Sequence, residues 1–103
     1  MANHLNLRYT LLELDVQGNL TIFSNGRSAR LLASEVQQLV GWLTMSKDEQ
    51  PAQLRTTRNQ FKLINGTLII NEMIRIIPVE VRQMGSWMRK WRREDSDWLV
   101  EHT

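Results

Sequence analysis

The sequence predicts an α+β domain built from two pseudo-symmetric β-β-β-α repeats, forming a mostly antiparallel sheet with two helices packed on one face. Three observations lead there. First, the segments "RLLASEVQQLVGWL" (30–43) and "RIIPVEVRQMGSWM" (75–88) share Arg30/Arg75, Glu35/Glu80, Val36/Val81, Gln38/Gln83 and Trp42/Trp87. Their other matched positions, Leu31/Ile76, Leu32/Ile77, Leu39/Met84 and Leu43/Met88, stay apolar, as a repeated structural unit requires. Second, each segment follows short strand-like runs punctuated by Asn and Gly. Third, 103 residues suffice for one modest core and not for two independent ones, so the copies must share it.

In chain order, "LRYTLLELD" and "NLTIF" read as strands separated by "VQG", and "RSARLL" follows the turn "SNG". The first helix starts near Ser34, where S-x-x-Q with Gln37 has the form of a capping box. Val36, Leu39, Val40 and Leu43 then recur at i, i+3, i+4 and i+7, an apolar stripe that needs a sheet to cover it. In the second copy "FKLI" and "TLII" flank Asn65-Gly66, a hairpin signal because both turn positions take a positive φ. "MIRII" follows across an Asn71-Glu72 corner, and Pro78 suits a first helical turn. The second helix repeats the stripe with Val81, Met84 and Met88 and extends through Trp91. The expected boundaries are a single domain over 1–103, with repeats at 7–46 and 54–94, a polar linker at 47–53 and an acidic tail at 94–103. Residues 53–60 read equally as strand or basic loop.

Charge is distributed unevenly. Residues 54–93 hold nine Lys or Arg against two Asp or Glu, whereas residues 94–103 hold four acidic residues and no basic one. Arginine outnumbers lysine ten to three, and its planar fork suits phosphate and stacked bases. A dense positive stretch fits an anionic partner, or a solvated surface screened by the acidic tail.

Parts for catalysis are scarce. There is no cysteine, and the two histidines, His4 and His102, lie at the ends of the chain. Nucleophile–base pairs and His/Cys metal clusters therefore lack their members, and the five glycines make no phosphate-binding loop. The expectation is a protein that is not an enzyme and uses no cofactor or metal. No apolar run reaches the roughly 20 residues of a membrane span, which points to a cytoplasmic protein.

The function expected from these features is binding of nucleic acid, in a single-stranded or ribonucleoprotein setting, through a basic sheet face and a basic second helix. The candidate contacts are Arg27, Arg30, Arg55, Arg58, Lys62 and Arg75 around the sheet. On the second helix Arg82, Arg89 and Arg93 fall within about 40° of one another at 100° per residue. Phe61 is the candidate base-stacking side chain, with Phe23 and Tyr9 as further aromatics on the strands. The alternative is an adaptor or subunit of a larger assembly, a homodimer included, that docks a protein partner through Trp87, Trp91 and Trp98.

Overall fold

The computed structural model describes the backbone of residues 3–102 and the side chains of residues 3–90. Its class is α+β, with two four-stranded antiparallel sheets and two helices. The first sheet has strands β1 (Asn3–Asn6), β2 (Thr10–Leu14), β3 (Leu20–Ser24) and β4 (Arg27–Leu31), followed by helix α1 (Ala33–Leu43). The second has β5 (Gln53–Arg55), β6 (Gln60–Ile64), β7 (Thr67–Ile70) and β8 (Ile74–Ile76), followed by α2 (Pro78–His102). Each sheet is a meander, with every strand paired to its sequence neighbour.

Two corrections to the expected layout follow. Each half has four strands instead of three, and the strands form two sheets instead of one. The run 7–15 does not form one strand, because Leu7–Tyr9 turns and the Leu7 amide donates to the Thr10 carbonyl at 2.8 Å. Residues 53–60 make the matching hairpin, with the Thr56 amide donating to the Asn59 carbonyl at 2.9 Å. Both turns lack the glycine or proline that marks a turn in sequence, so neither is legible from composition. The backbone of α2 continues through the acidic stretch to His102.

Strand alternation sets which face is covered. Leu12, Leu14, Leu20, Ile22, Ala29 and Leu31 point into the core from the first sheet, and Phe61, Leu68, Ile70, Ile74 and Ile76 from the second. Val36, Leu39, Val40 and Trp42 of α1 and Met84 and Met88 of α2 complete the same cluster. Helix α1 lies against β4, α2 against β7, the helices touch each other, and β3 meets β8. The opposite face of each sheet carries polar and half-exposed residues and stays open to solvent. Trp42 is buried, and its indole N–H donates to the Pro51 carbonyl at 2.8 Å, which ties the linker to α1.

The cap of α1 differs from the S-x-x-Q expectation. Leu32 is the N-cap, Ser34 lies inside the first turn, and the orphan amides there are met from elsewhere. The Ala33 amide donates to Asn19 Oδ1 at 3.0 Å and the Leu32 amide to Glu35 Oε1 at 3.0 Å. A carboxylate three residues into the helix thus takes over the backward half of a capping box. In both halves a turn glycine, Gly18 (φ +90) or Gly66 (φ +84), closes to 3.3 Å from the first helical residue, Ala33 or Pro78, reckoned from an added Cβ. A side chain there would meet that residue in a backbone conformation that already disfavours it.

The β7–β8 corner holds Asn71 and Glu72 at φ +53 and +61. Asn71 is anchored by its amide and side chain to Gln60 and Asn59, whereas Glu72, among the described residues, bonds only Lys62. A left-handed non-glycine residue costs roughly 1–2 kcal/mol, and an exposed ion pair returns less than about 1. Glu72→Gly should therefore stabilise the protein slightly, raising Tm by a few degrees, and a lower Tm would show that the Lys62 pair outweighs the backbone strain.

Candidate nucleic-acid interface

Period-two alternation decides which candidate residues share a surface. On the second sheet Lys62 pairs with Gln53 on one side and with Ile69 on the other, and Ile69 pairs with Arg75. Arg55 lies one side-chain repeat along β5 from Gln53, so Arg55, Lys62 and Arg75 occupy the same open face. Lys62 and Arg75 stand two strand spacings apart, about 9–10 Å. On the first sheet the matching row runs His4, Glu13, Thr21, Arg30.

Two sequence expectations are corrected here. Phe61 is completely buried, so it builds the core and is unavailable for stacking. Its neighbour Lys62 faces out, and adjacent strand residues cannot serve one face together. Arg27 is exposed, but it shares alternation with Ala29 and Leu31, opposite to Arg30. Arg82 and Arg89 are exposed on α2, which lies against the covered face of β7, so they form a surface separate from Arg55, Lys62 and Arg75. Arg58 sits in the β5–β6 turn with an exposed side chain. The side chains of Arg93, Trp91 and Trp98 lie outside the described residues. Trp87 is half-buried and packs against the core.

Two of the cations are paired with carboxylates. Arg30 reaches Asp15 at 3.5 Å with 62% of its side chain exposed, a loose contact. Asp15 is held below its usual pKa by the Asn19 amide first of all, with further hydrogen bonds from the Asn19 side chain and the Gln17 amide and a smaller pull from Arg30. Lys62 contacts Glu72 at 2.6 Å, and its hydrogen bond and charge lower the Glu72 pKa. Among the described residues Arg27, Arg55, Arg58, Arg75, Arg82 and Arg89 have no carboxylate partner. Exposed pairs of the Arg30–Asp15 kind contribute about 1 kcal/mol or less and exchange readily for a phosphate.

A buried carboxylate network positions the turns beside these faces. Glu35, fully buried, accepts from the Thr56 hydroxyl, the Arg58 amide (3.0 Å) and the Asn59 amide side chain (3.0 Å) across the molecule, besides the Leu32 amide. Asn59 also donates to the Arg30 carbonyl at 2.9 Å, joining β4 to the β5–β6 turn. Glu80, at the same place in α2, accepts from the Tyr9 amide (3.0 Å) and the Thr10 hydroxyl (2.6 Å). Each helix start thus grips the first turn of the other half. Burial pushes the Glu35 pKa up, but the four donors outweigh it and bring the value down to about 2. Every described buried side-chain N or O atom has a partner, so both carboxylates are tied into the contacts that join the two halves.

The grips also fix two open depressions of about 260 Å³ each. One, by the β1–β2 and β3–β4 turns, is lined by Asn6, Arg8, Tyr9, Phe23 and Asn25, among others. The other, at the β5–β6 turn, is lined by Arg55, Arg58, Asn59, Gln60 and Asn71, among others. Arg8 was not legible as a site residue, because only the fold brings its turn beside Phe23. Among the described residues no group of three or more His, Cys, Asp or Glu gathers to hold a metal ion. No helix is long and apolar enough to cross a membrane among those residues. No family model, curated protein or solved structure matches this chain.

Proposed function

We propose that the protein binds single-stranded nucleic acid, without catalysis, along the open faces of its sheets. The observation that carries this reading is the set of exposed arginines lacking a carboxylate partner among the described residues, with Arg55 and Arg75 on the same face as Lys62. Unpaired guanidinium groups on a solvent-open sheet are fitted to phosphate oxygens, which they can grip with two parallel hydrogen bonds. Exposed aromatics on the first sheet favour unstacked bases over a duplex, whose bases present no free ring face.

Fluorescence anisotropy with a labelled single strand tests the reading. With four phosphates neutralised, affinity should fall roughly 50-fold between 50 and 200 mM salt. The double variant Arg55→Ala/Arg75→Ala should bind more weakly and show a shallower salt dependence, by about 0.7 in log–log slope per lost contact. Wild-type protein that binds no strand at 50 mM salt would end this reading.

A second reading, docking of a protein partner, is favoured by a groove of about 510 Å³ between β1 and α2, lined by Leu5, Leu7, Val79 and Arg82 among others. Val79 and Ile77 are exposed beside it. Light scattering and pull-down of wild type against Val79→Glu, with identical mass and partners in both, would remove it.

A further inference from the structure

We propose that the depression between the β1–β2 and β3–β4 turns is a nucleobase site, in which one base of a single strand stacks on Phe23 and Tyr9; this rests on the nucleic-acid reading above. Both rings are unusually open for aromatics, Tyr9 at 51% and Phe23 at 39% of full exposure. They arrive from different places. Phe23 projects from the uncovered face of β3, in register with Leu11 and Ser28, and Tyr9 from the preceding hairpin turn. Together they line one hollow of about 260 Å³. It is too small and open to bury a drug-sized ligand, which needs about 300–1,000 Å³ of enclosing wall, but a flat ring needs only a platform.

The groups around the rings match the rest of a nucleotide. The Arg8 guanidinium lies over the Tyr9 ring, 5.4 Å from its centre, so a positive charge stands beside the stacking platform, available to the phosphate of a bound nucleotide. Arg8 has no carboxylate partner among the described residues. Asn6 and Asn25 border the hollow, and their side-chain amides are exposed and unbonded among the described residues. An amide offers both a donor and an acceptor to a base edge. The platform is rigid where it matters. The Tyr9 amide is held by Glu80, and the Tyr9 carbonyl accepts from the Ser24 hydroxyl at 3.2 Å. The turn and the end of β3 are thereby joined before any ligand arrives, which lowers the ordering cost of binding. The depression at the β5–β6 turn has Arg55 and Arg58 and no aromatic. The two halves therefore divide the work, one taking a base and the other taking backbone phosphate.

The test uses the full chain with a labelled 15-nucleotide thymidine strand and an abasic strand of the same length at one salt concentration. Phe23→Thr preserves strand character at an exposed position, and Tyr9→Leu leaves the amide that Glu80 holds; circular dichroism checks that both fold. Each should weaken thymidine-strand binding about 10- to 100-fold while leaving the salt slope unchanged, and the abasic strand should bind wild type and Phe23→Thr alike. If the thymidine strand binds wild type in a salt-dependent way and both variants match it, the base site is wrong and the phosphate reading stands. If wild type binds neither strand, both are overturned.

Discussion

Replacing Glu35 with alanine is expected to cost about 3–4 kcal/mol of stability, because it strands several donors in the interior at about 1–3 kcal/mol each. The Leu32 and Arg58 amides would lose their side-chain acceptor, and the Thr56 hydroxyl and Asn59 side chain would keep only the Asn59 and Arg30 carbonyls. Against a typical total of about 5–15 kcal/mol, that brings a small domain near its limit. Glu35→Gln retains a carbonyl acceptor and should lose less, so urea unfolding of the three proteins should rank wild type, Gln, Ala. The same site predicts an acid limb. The Glu35 pKa is lowered in the folded state, from 4.5 to about 2, so its contribution is fully present above pH 4.5 and is lost as the pH falls toward 2. The difference amounts to roughly 3 kcal/mol at most. Glu35→Gln lacks this titration, so the gap between it and wild type should narrow between pH 5 and pH 3. Unfolding midpoints that fall in parallel for both proteins over that range would show that Glu35 is not the acid-sensitive group.

Two phenylalanines should separate folding from binding. Phe61→Ala removes a fully buried ring from β6 and should cost about 3–5 kcal/mol, with a large fall in Tm. Phe23→Thr acts on the open face of β3 and should change stability by less than about 1 kcal/mol while weakening strand binding. Thermal melts and anisotropy on the same preparations check both halves of the contrast. A Phe23→Thr protein that melts as early as Phe61→Ala would mean that Phe23 builds the core, and the platform would lose its main wall.

The paired helices, the apolar stripes and the Asn-Gly hairpins were legible because each rests on contacts within a few residues. Asn25-Gly26 and Asn65-Gly66 show the positive φ values that the sequence demands, and Pro78 opens α2. The turns at 7–9 and 56–59 were not legible. Their conformations are held by Glu80 and Glu35, about 70 and more than 20 residues away in sequence. Without those carboxylates in view, 7–15 reads as one unbroken strand. The capping of α1 failed for the same reason, since Asn19 supplies the acceptor from another turn. For the candidate site, the expectation from sequence mixed two faces. Phe61 beside Lys62 and Arg27 with Arg30 break the period-two rule that was already available, and applying it strictly would have selected Phe23, the aromatic between inward-facing Ile22 and Ser24.

By itself the sequence determined the α+β class, the two helix-terminated halves, the excess of arginine over lysine and the absence of cysteine, because composition and short-range periodicity are properties of the chain alone. Only the tertiary structure decided that eight strands divide into two open sheets, that Glu35 and Glu80 lock each half onto the other, and that Arg8, Tyr9 and Phe23 meet in one hollow. Those outcomes depend on which buried donors and acceptors find each other across long stretches of chain. A buried carboxylate must be satisfied wherever partners exist, and local pattern carries no information about where that is.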